Sequence, residues 1–186
     1  MKTRSQESGN TLYTKYPLRS IITYNSVTVV HFLLGGAGFI LGYHFWLGFL
    51  LGYLYLIFAF VDMYIFMPLK VCPNCPYYKL KDSRCVSGMN LVSRRFAKEG
   101  NIKDFARRAK GPLCPNNLYV ASLAIPIIGI IPALVLSFSW LELIILLVLV
   151  SLLLFRFFVI FLKIACVHCR AQNVCPQARS MGFSKE

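Results

Sequence analysis

Four apolar runs alternate with three polar stretches along the chain, and each run is long enough to cross about 30 Å of hydrocarbon at about 1.5 Å per residue. They cover residues 22–43, 47–69, 118–138 and 141–164. Only His44, Phe45 and Trp46 separate the first pair, and only Ser139 and Trp140 the second. Connections this short join antiparallel neighbours. The pattern predicts an all-α membrane protein, one integral membrane domain over residues 1–186, with four transmembrane helices as two antiparallel hairpins. A basic arm (1–21) precedes the first hairpin (22–69). A basic cysteine loop (70–117) separates it from the second (118–164), and a cysteine-bearing tail follows (165–186). Trp46 and Trp140, the two tryptophans, fall at the hairpin turns, where an amphipathic ring favours the water–lipid boundary. The first twenty residues are polar and no small-residue cleavage site follows the first run, so no cleavable signal is expected.

Composition sharpens this reading. The chain has 186 residues, 57% of them hydrophobic, yet a formal net charge of +13. Both values fit one molecule only when charge is segregated from the apolar runs. The arm holds Lys2, Arg4, Lys15 and Arg19, and the tail end holds Lys163, Arg170, Arg179 and Lys185. Between them the loop carries eleven Lys and Arg against Asp82, Glu99 and Asp104, whereas the side of the hairpin turns has Glu142 and no base. The positive-inside rule then predicts cytoplasmic N- and C-termini in a cell or inner membrane.

Two short amphipathic interfacial helices are expected in the loop. One carries Met89, Val92 and Phe96 on one face with Arg94, Arg95 and Lys98 turned away, and stops near Gly100. The other is capped by Asn101, with Ile102, Phe105, Ala106 and Ala109 on one face and Lys103, Arg107, Arg108 and Lys110 around the rest. Such helices lie apolar side down on a bilayer with anionic headgroups, although a basic loop obeying topology rules accounts for the same residues. No stacking platform or groove-reading motif accompanies the charge, which argues against nucleic acid.

The candidate chemistry is sulfur. Cys72-Pro73-Asn74-Cys75-Pro76 leaves the second span, and Cys85 follows; Cys166-Val167-His168-Cys169 leaves the fourth, and Cys175 follows; Cys114 precedes the third. All seven are expected at the cytoplasmic end. In a reducing compartment this spacing points to metal or redox work rather than disulfides. Cys72, Cys75, Cys166 and Cys169 could hold one zinc between two CxxC turns. An iron–sulfur cluster is the alternative, with Cys72, Cys75 and Cys85 joined by Cys114, and Cys166, Cys169 and Cys175 joined by His168 or by a fourth ligand from elsewhere. Reduced thiols without metal are the bland reading.

Within the spans, Asp62 and Arg156 lie about 12 Å below the cytoplasmic ends of their helices. Unpaired charge at that depth is costly, so an intramembrane ion pair is expected between them. His31 could meet a quinone or haem, or bond a neighbouring helix. His44 belongs to the wet outer turn. Gly35, Gly36, Gly38 and Gly42 form a small face for close packing, and Pro126 and Pro132 predict a kink. Tyr77 and Tyr78 stand beside the first CxxC. Four spans with cytoplasmic Cys-Pro motifs resemble, in topology, the membrane ferredoxins of anaerobic respiration, whose paired CxxxCP motifs this chain replaces with CPNCP and CP. The readings carried forward are a metal-thiolate protein that passes electrons to or from a soluble redox partner, a soft-metal handling or sensing protein with a metal-donor partner, and a scaffold with structural zinc. Quinone-coupled disulfide formation is disfavoured, because its working thiols belong on the oxidising side.

Overall fold

Uninterrupted runs of Leu, Ile, Val and Phe become helices in the computed structural model of the chain, which describes residues 11–108, 115–175, 178, 182 and 183. The described residues are all-helical, without a strand. In chain order the helices are α1 (Leu18–Gly42), α2 (Phe45–Val61), α3 (Pro76–Lys79), α4 (Met89–Phe96), α5 (Ile102–Arg108), α6 (Pro115–Leu136) and α7 (Trp140–Phe155). Four helical stretches are long and apolar enough to cross a membrane: Leu18–Gly42, Phe45–Asn74, Asn117–Leu136 and Trp140–Ala165. The first starts four residues before the apolar run does, because Pro17 opens it and its first turn carries Arg19 and Ser20. A hydropathy pattern does not register such a polar turn.

Much of the surface is apolar. Leu54, Ile57, Ile128, Val135, Leu147 and Phe158 are all exposed, and only 22% of the most apolar window of the fourth stretch is buried. Continuous apolar surface on this scale is compatible with lipid contact. Trp46 and Trp140 are exposed at the two chain reversals.

Close packing depends on glycine at one seam in particular. A Cβ at Gly48 of α2 would lie 2.7 Å from the Ile40 carbonyl oxygen of α1 and 3.0 Å from those of Phe39 and Tyr43. One at Gly52 would lie 2.9 Å from the Gly36 carbonyl oxygen. Helix α2 therefore rests on the backbone of α1, the approach that a GxxxG face permits. Gly38 and Gly42 face the opposite way, toward Ile130 of α6 and toward Ala133 and Glu142. Helix α6 runs on through Pro126 and Pro132, and Pro126 sits against Gly35.

Both α2 and α7 widen at their inner charge. From Asp62 to Val71, and again from Arg156 to Ala165, the chain adopts π-type turns. Each run ends on a CxxC, and the first cysteine of each donates its amide five residues back, Cys72 to the Met67 carbonyl and Cys166 to the Phe161 carbonyl. The two units are in register. Trp140, Arg156, Cys166 and Cys169 each lie 94 residues after Trp46, Asp62, Cys72 and Cys75. Contacts follow the same correspondence, α1 against α2 and α7, and α6 against α7 and α2. Tyr24 of α1 and Tyr119 of α6, 95 residues apart, meet hydroxyl to hydroxyl at 3.4 Å. The hydropathy pattern alone did not reveal this repeat, because its landmarks are four residues in 94.

Candidate functional site

A strap of residues 11–16 gathers the two cysteine turns. The Tyr13 amide donates to the His168 carbonyl at 3.0 Å. One residue on, the Thr14 carbonyl accepts the Arg84 amide at 3.1 Å, and the Tyr16 amide donates to the Arg84 carbonyl at 2.9 Å. Residues next to Cys169 and to Cys85 are thus stitched to one short segment. Side chains lock it. The Tyr16 hydroxyl donates to the Ala165 carbonyl at 2.5 Å, and the Tyr77 hydroxyl donates to the Tyr13 carbonyl at 2.7 Å while accepting the Arg170 amide at 3.3 Å. Tyr77 comes from the turn after Cys75, so one phenol joins both CxxC segments and the strap.

The 77–85 segment is shaped from within. Arg94 of α4 donates to the carbonyls of Tyr77 (2.7 Å), Tyr78 (3.0 Å) and Leu80 and to Ser83 Oγ (2.7 Å). Asn90 accepts the Cys85 amide at 3.0 Å and donates to the Ser83 carbonyl at 2.9 Å. The expected outward placement of Arg94 is therefore corrected. The four-residue α3 leaves carbonyls without helical partners, and a guanidinium with five donors satisfies them. Met89 is buried, whereas Leu91, Val92 and Phe96 are exposed beside Arg95. Asn101 Oδ1 accepts the Lys103 amide at 3.0 Å at the start of α5.

Six cysteines, Cys72, Cys75, Cys85, Cys166, Cys169 and Cys175, are free and partly buried, and Cys114 lies outside the described residues. Cys72 and Cys166 pack against the apolar core. Above them, Cys75 senses the charge of Cys169, Cys85 and Cys175, and Cys169 that of Cys175 and Cys85. Burial pushes the Cys75 thiol well up; it pushes Cys166 up to about 12, and Cys169 up to about 11. The Ala171 amide, 3.4 Å from Cys169 Sγ, acts in the opposite sense. Among the described residues, no three His, Cys, Asp or Glu side chains converge closely enough to hold a metal ion. His168 is engaged elsewhere: Nδ1 lies 3.0 Å from the Thr11 carbonyl, and the ring stacks on Tyr13 at 4.3 Å.

Raised thiols have a measurable consequence. A pKa of about 11 against the ordinary 9.0 leaves Cys169 with about 100-fold less thiolate near neutral pH. Metal-free protein should therefore react with a maleimide at Cys169 about 100-fold more slowly than a free cysteine does, with the rate climbing about tenfold per pH unit toward pH 11. A rate matching the free thiol would contradict the burial seen here.

The expected Asp62–Arg156 ion pair is absent. Both Asp62 oxygens are buried without a hydrogen-bond partner among the described residues. Arg156 donates to Thr28 Oγ1 and to the Tyr24 carbonyl (3.4 Å), and its guanidinium lies 5.2 Å over the Tyr24 ring and 5.3 Å from the Tyr119 ring. The reason is topological. Helix α1 supplies Tyr24 and α6 supplies Tyr119, and this pair takes the cation by its π faces. His31 Nε2 lies 3.0 Å from the Leu123 carbonyl of α6, a satisfied buried imidazole, and His44 is exposed.

Tyr13, Tyr16, Asn90 and Thr28 were not singled out from sequence. No local motif marks them, since their partners lie up to 155 residues away. Comparison with protein-family models, with curated proteins and with solved structures yields no match.

Proposed function

We propose that the chain is an integral membrane protein of two antiparallel helical hairpins, with its termini and thiols on the cytoplasmic side, and that its sulfur-rich end binds a thiophilic metal ion. The observation that carries this reading is the joining of the segments that follow Cys75 and Cys169 by a single phenol, Tyr77, and a single strap, although 94 residues separate the two cysteines. Two CxxC turns held to one strap lower the entropic cost of assembling a thiolate site. Basic residues concentrated at this end support its cytoplasmic placement, where thiols stay reduced. Exposed Leu91, Val92 and Phe96 beside Arg95 suit a surface lying on anionic headgroups. Each bound ion displaces thiol protons, so affinity rises with pH.

The test is metal binding by protein purified anaerobically and reduced. About one equivalent per chain is expected, with a matching loss of titratable thiols, and Cys75→Ser with Cys169→Ser should weaken binding at least tenfold. Protein that takes up no zinc, iron or copper(I) under these conditions rules the reading out. Labelling of Cys85 in sealed cells tests the orientation independently; reaction with an impermeant reagent from outside would reverse it.

A further inference from the structure

Four segments far apart in sequence meet at a cleft. Among the described residues it is lined by Leu12 of the strap, by Pro76, Lys79 and Leu80 after the first CxxC, by Ile102 at the start of α5, and by Arg170 directly after the second CxxC. Its volume is about 310 Å³, at the small end of the range for ligand sites. Hydrogen bonds fix the walls. The Tyr77 hydroxyl donates to the Tyr13 carbonyl at 2.7 Å and accepts the Arg170 amide at 3.3 Å, which sets the strap against the segments that follow both cysteine turns. Toward α5, Asn74 Oδ1 accepts the Asn101 amide at 3.1 Å, and the Gly100 amide donates to the Pro73 carbonyl at 3.1 Å. The Tyr78 hydroxyl donates to the Ala97 carbonyl at 2.8 Å. A Cβ at Gly100 would overlap Asn74 Oδ1, so the chain entering α5 is seated hard on the first CxxC turn.

The lining is of two kinds. Leu12, Pro76, Leu80 and Ile102 are apolar, and the two charged residues, Lys79 and Arg170, are both cations. Lys79 Nζ lies 3.1 Å from Glu99 Oε1, but the side chains are 46% and 57% exposed, so the pair is weak and leaves ammonium protons for a second anion. The Arg170 guanidinium has no ion-pair partner among the described residues. Chain position puts the cleft close to the ends of the apolar helices. Leu12 lies six residues before the first one starts at Leu18, Pro76 two after the second ends at Asn74, and Arg170 five after the fourth ends at Ala165.

We propose that this cleft binds the headgroup of one anionic phospholipid, with Arg170 and Lys79 on the phosphate and the apolar wall against the glycerol and the first acyl carbons. The proposal rests on the reading of the chain as an integral membrane protein and is independent of any metal. A phosphodiester matches the fork of a guanidinium with two parallel N–H···O bonds. Each Lys or Arg held near an anionic headgroup strengthens attachment about fivefold, and basic pockets at the cytoplasmic ends of spans suit such lipids. A free phosphate would use the same cations but leave Leu12, Leu80 and Ile102 in water, whereas a lipid covers both parts of the lining.

Delipidated full-length protein in detergent is titrated with short-chain phosphatidylglycerol or phosphatidylcholine, and bound lipid is counted by native mass spectrometry. One phosphatidylglycerol per chain is expected, held at least tenfold more tightly than phosphatidylcholine, whose choline brings a cation of its own. Lys79→Gln with Arg170→Gln should weaken that equivalent about 30-fold. Both side chains are exposed, so the variant keeps its fold. Lys70→Gln with Lys163→Gln makes the same change of net charge at exposed positions outside the cleft, and should keep wild-type affinity. Equal weakening by the two pairs shows general attraction to a basic surface and overturns the site, as does equal retention of the two lipids. Glycerol phosphate bound as tightly as the lipid makes a soluble anion the occupant and overturns the choice of lipid. Protein that retains neither lipid and stays soluble without detergent overturns the membrane reading itself, an outcome distinct from the others.

Discussion

Asp62→Leu is expected to raise the stability of the bundle by about 2 kcal/mol, read as a shift in SDS or thermal unfolding of the protein in micelles. The carboxylate is 1% exposed, and neither oxygen has a hydrogen-bond partner among the described residues. A buried, unsatisfied acid in a membrane-spanning segment is a net cost, by about 2.5–3.5 kcal/mol on insertion scales. Leucine removes that cost at a position that is already buried. The gain should be independent of Arg156. In a double-mutant cycle with Arg156→Met, the coupling energy should lie within about 0.5 kcal/mol of zero, because Thr28 and two tyrosine rings, not Asp62, engage the guanidinium. A destabilised Asp62→Leu variant, or coupling above about 1 kcal/mol, would show that the two charges meet after all.

Gly48→Leu is expected to prevent the folded protein from accumulating, and Gly48→Ala to cost about 1–3 kcal/mol. The direction follows from which atoms lie opposite. At Gly38 an added methyl group would meet the end of the Ile130 side chain, which can rotate away. At Gly48 it would meet three backbone carbonyl oxygens of α1, the nearest at 2.7 Å, and these cannot move without separating the helices. Gly38→Ala should therefore be the milder change by at least about 1 kcal/mol. Equal loss at both positions in the same unfolding assay would mean that side chains, not backbone, set the α1–α2 distance.

Legibility in the sequence followed the physics of each signal. The spans were plain because 20 residues of hydrocarbon-compatible side chains have few other uses, and the structure contains four such helices. The CxxC turns were plain because two sulfurs three residues apart leave little else to explain. Their joining depends instead on hydrogen bonds from Tyr13, Tyr16 and Tyr77 to carbonyls far along the chain, and a carbonyl carries no sequence signature. Asp62 and Arg156 were misjudged because depth was counted along each helix without knowing that α1 and α6 would fill the space between. Attention to the glycines of α1 missed Gly48 and Gly52, since periodicity shows a small face but not whether a side chain or a backbone will press on it. The π-type turns at residues 62 and 156 left no trace in hydropathy at all.

The 94-residue correspondence bears on the chemistry as well as the architecture. Cys72 answers to Cys166 and Cys75 to Cys169 along the chain, and each CxxC turn leaves its helix after the same ten-residue run of π-type turns. Positions 62 and 156 break that equality: the acid has no hydrogen-bond partner among the described residues, whereas the base lies against two tyrosine rings.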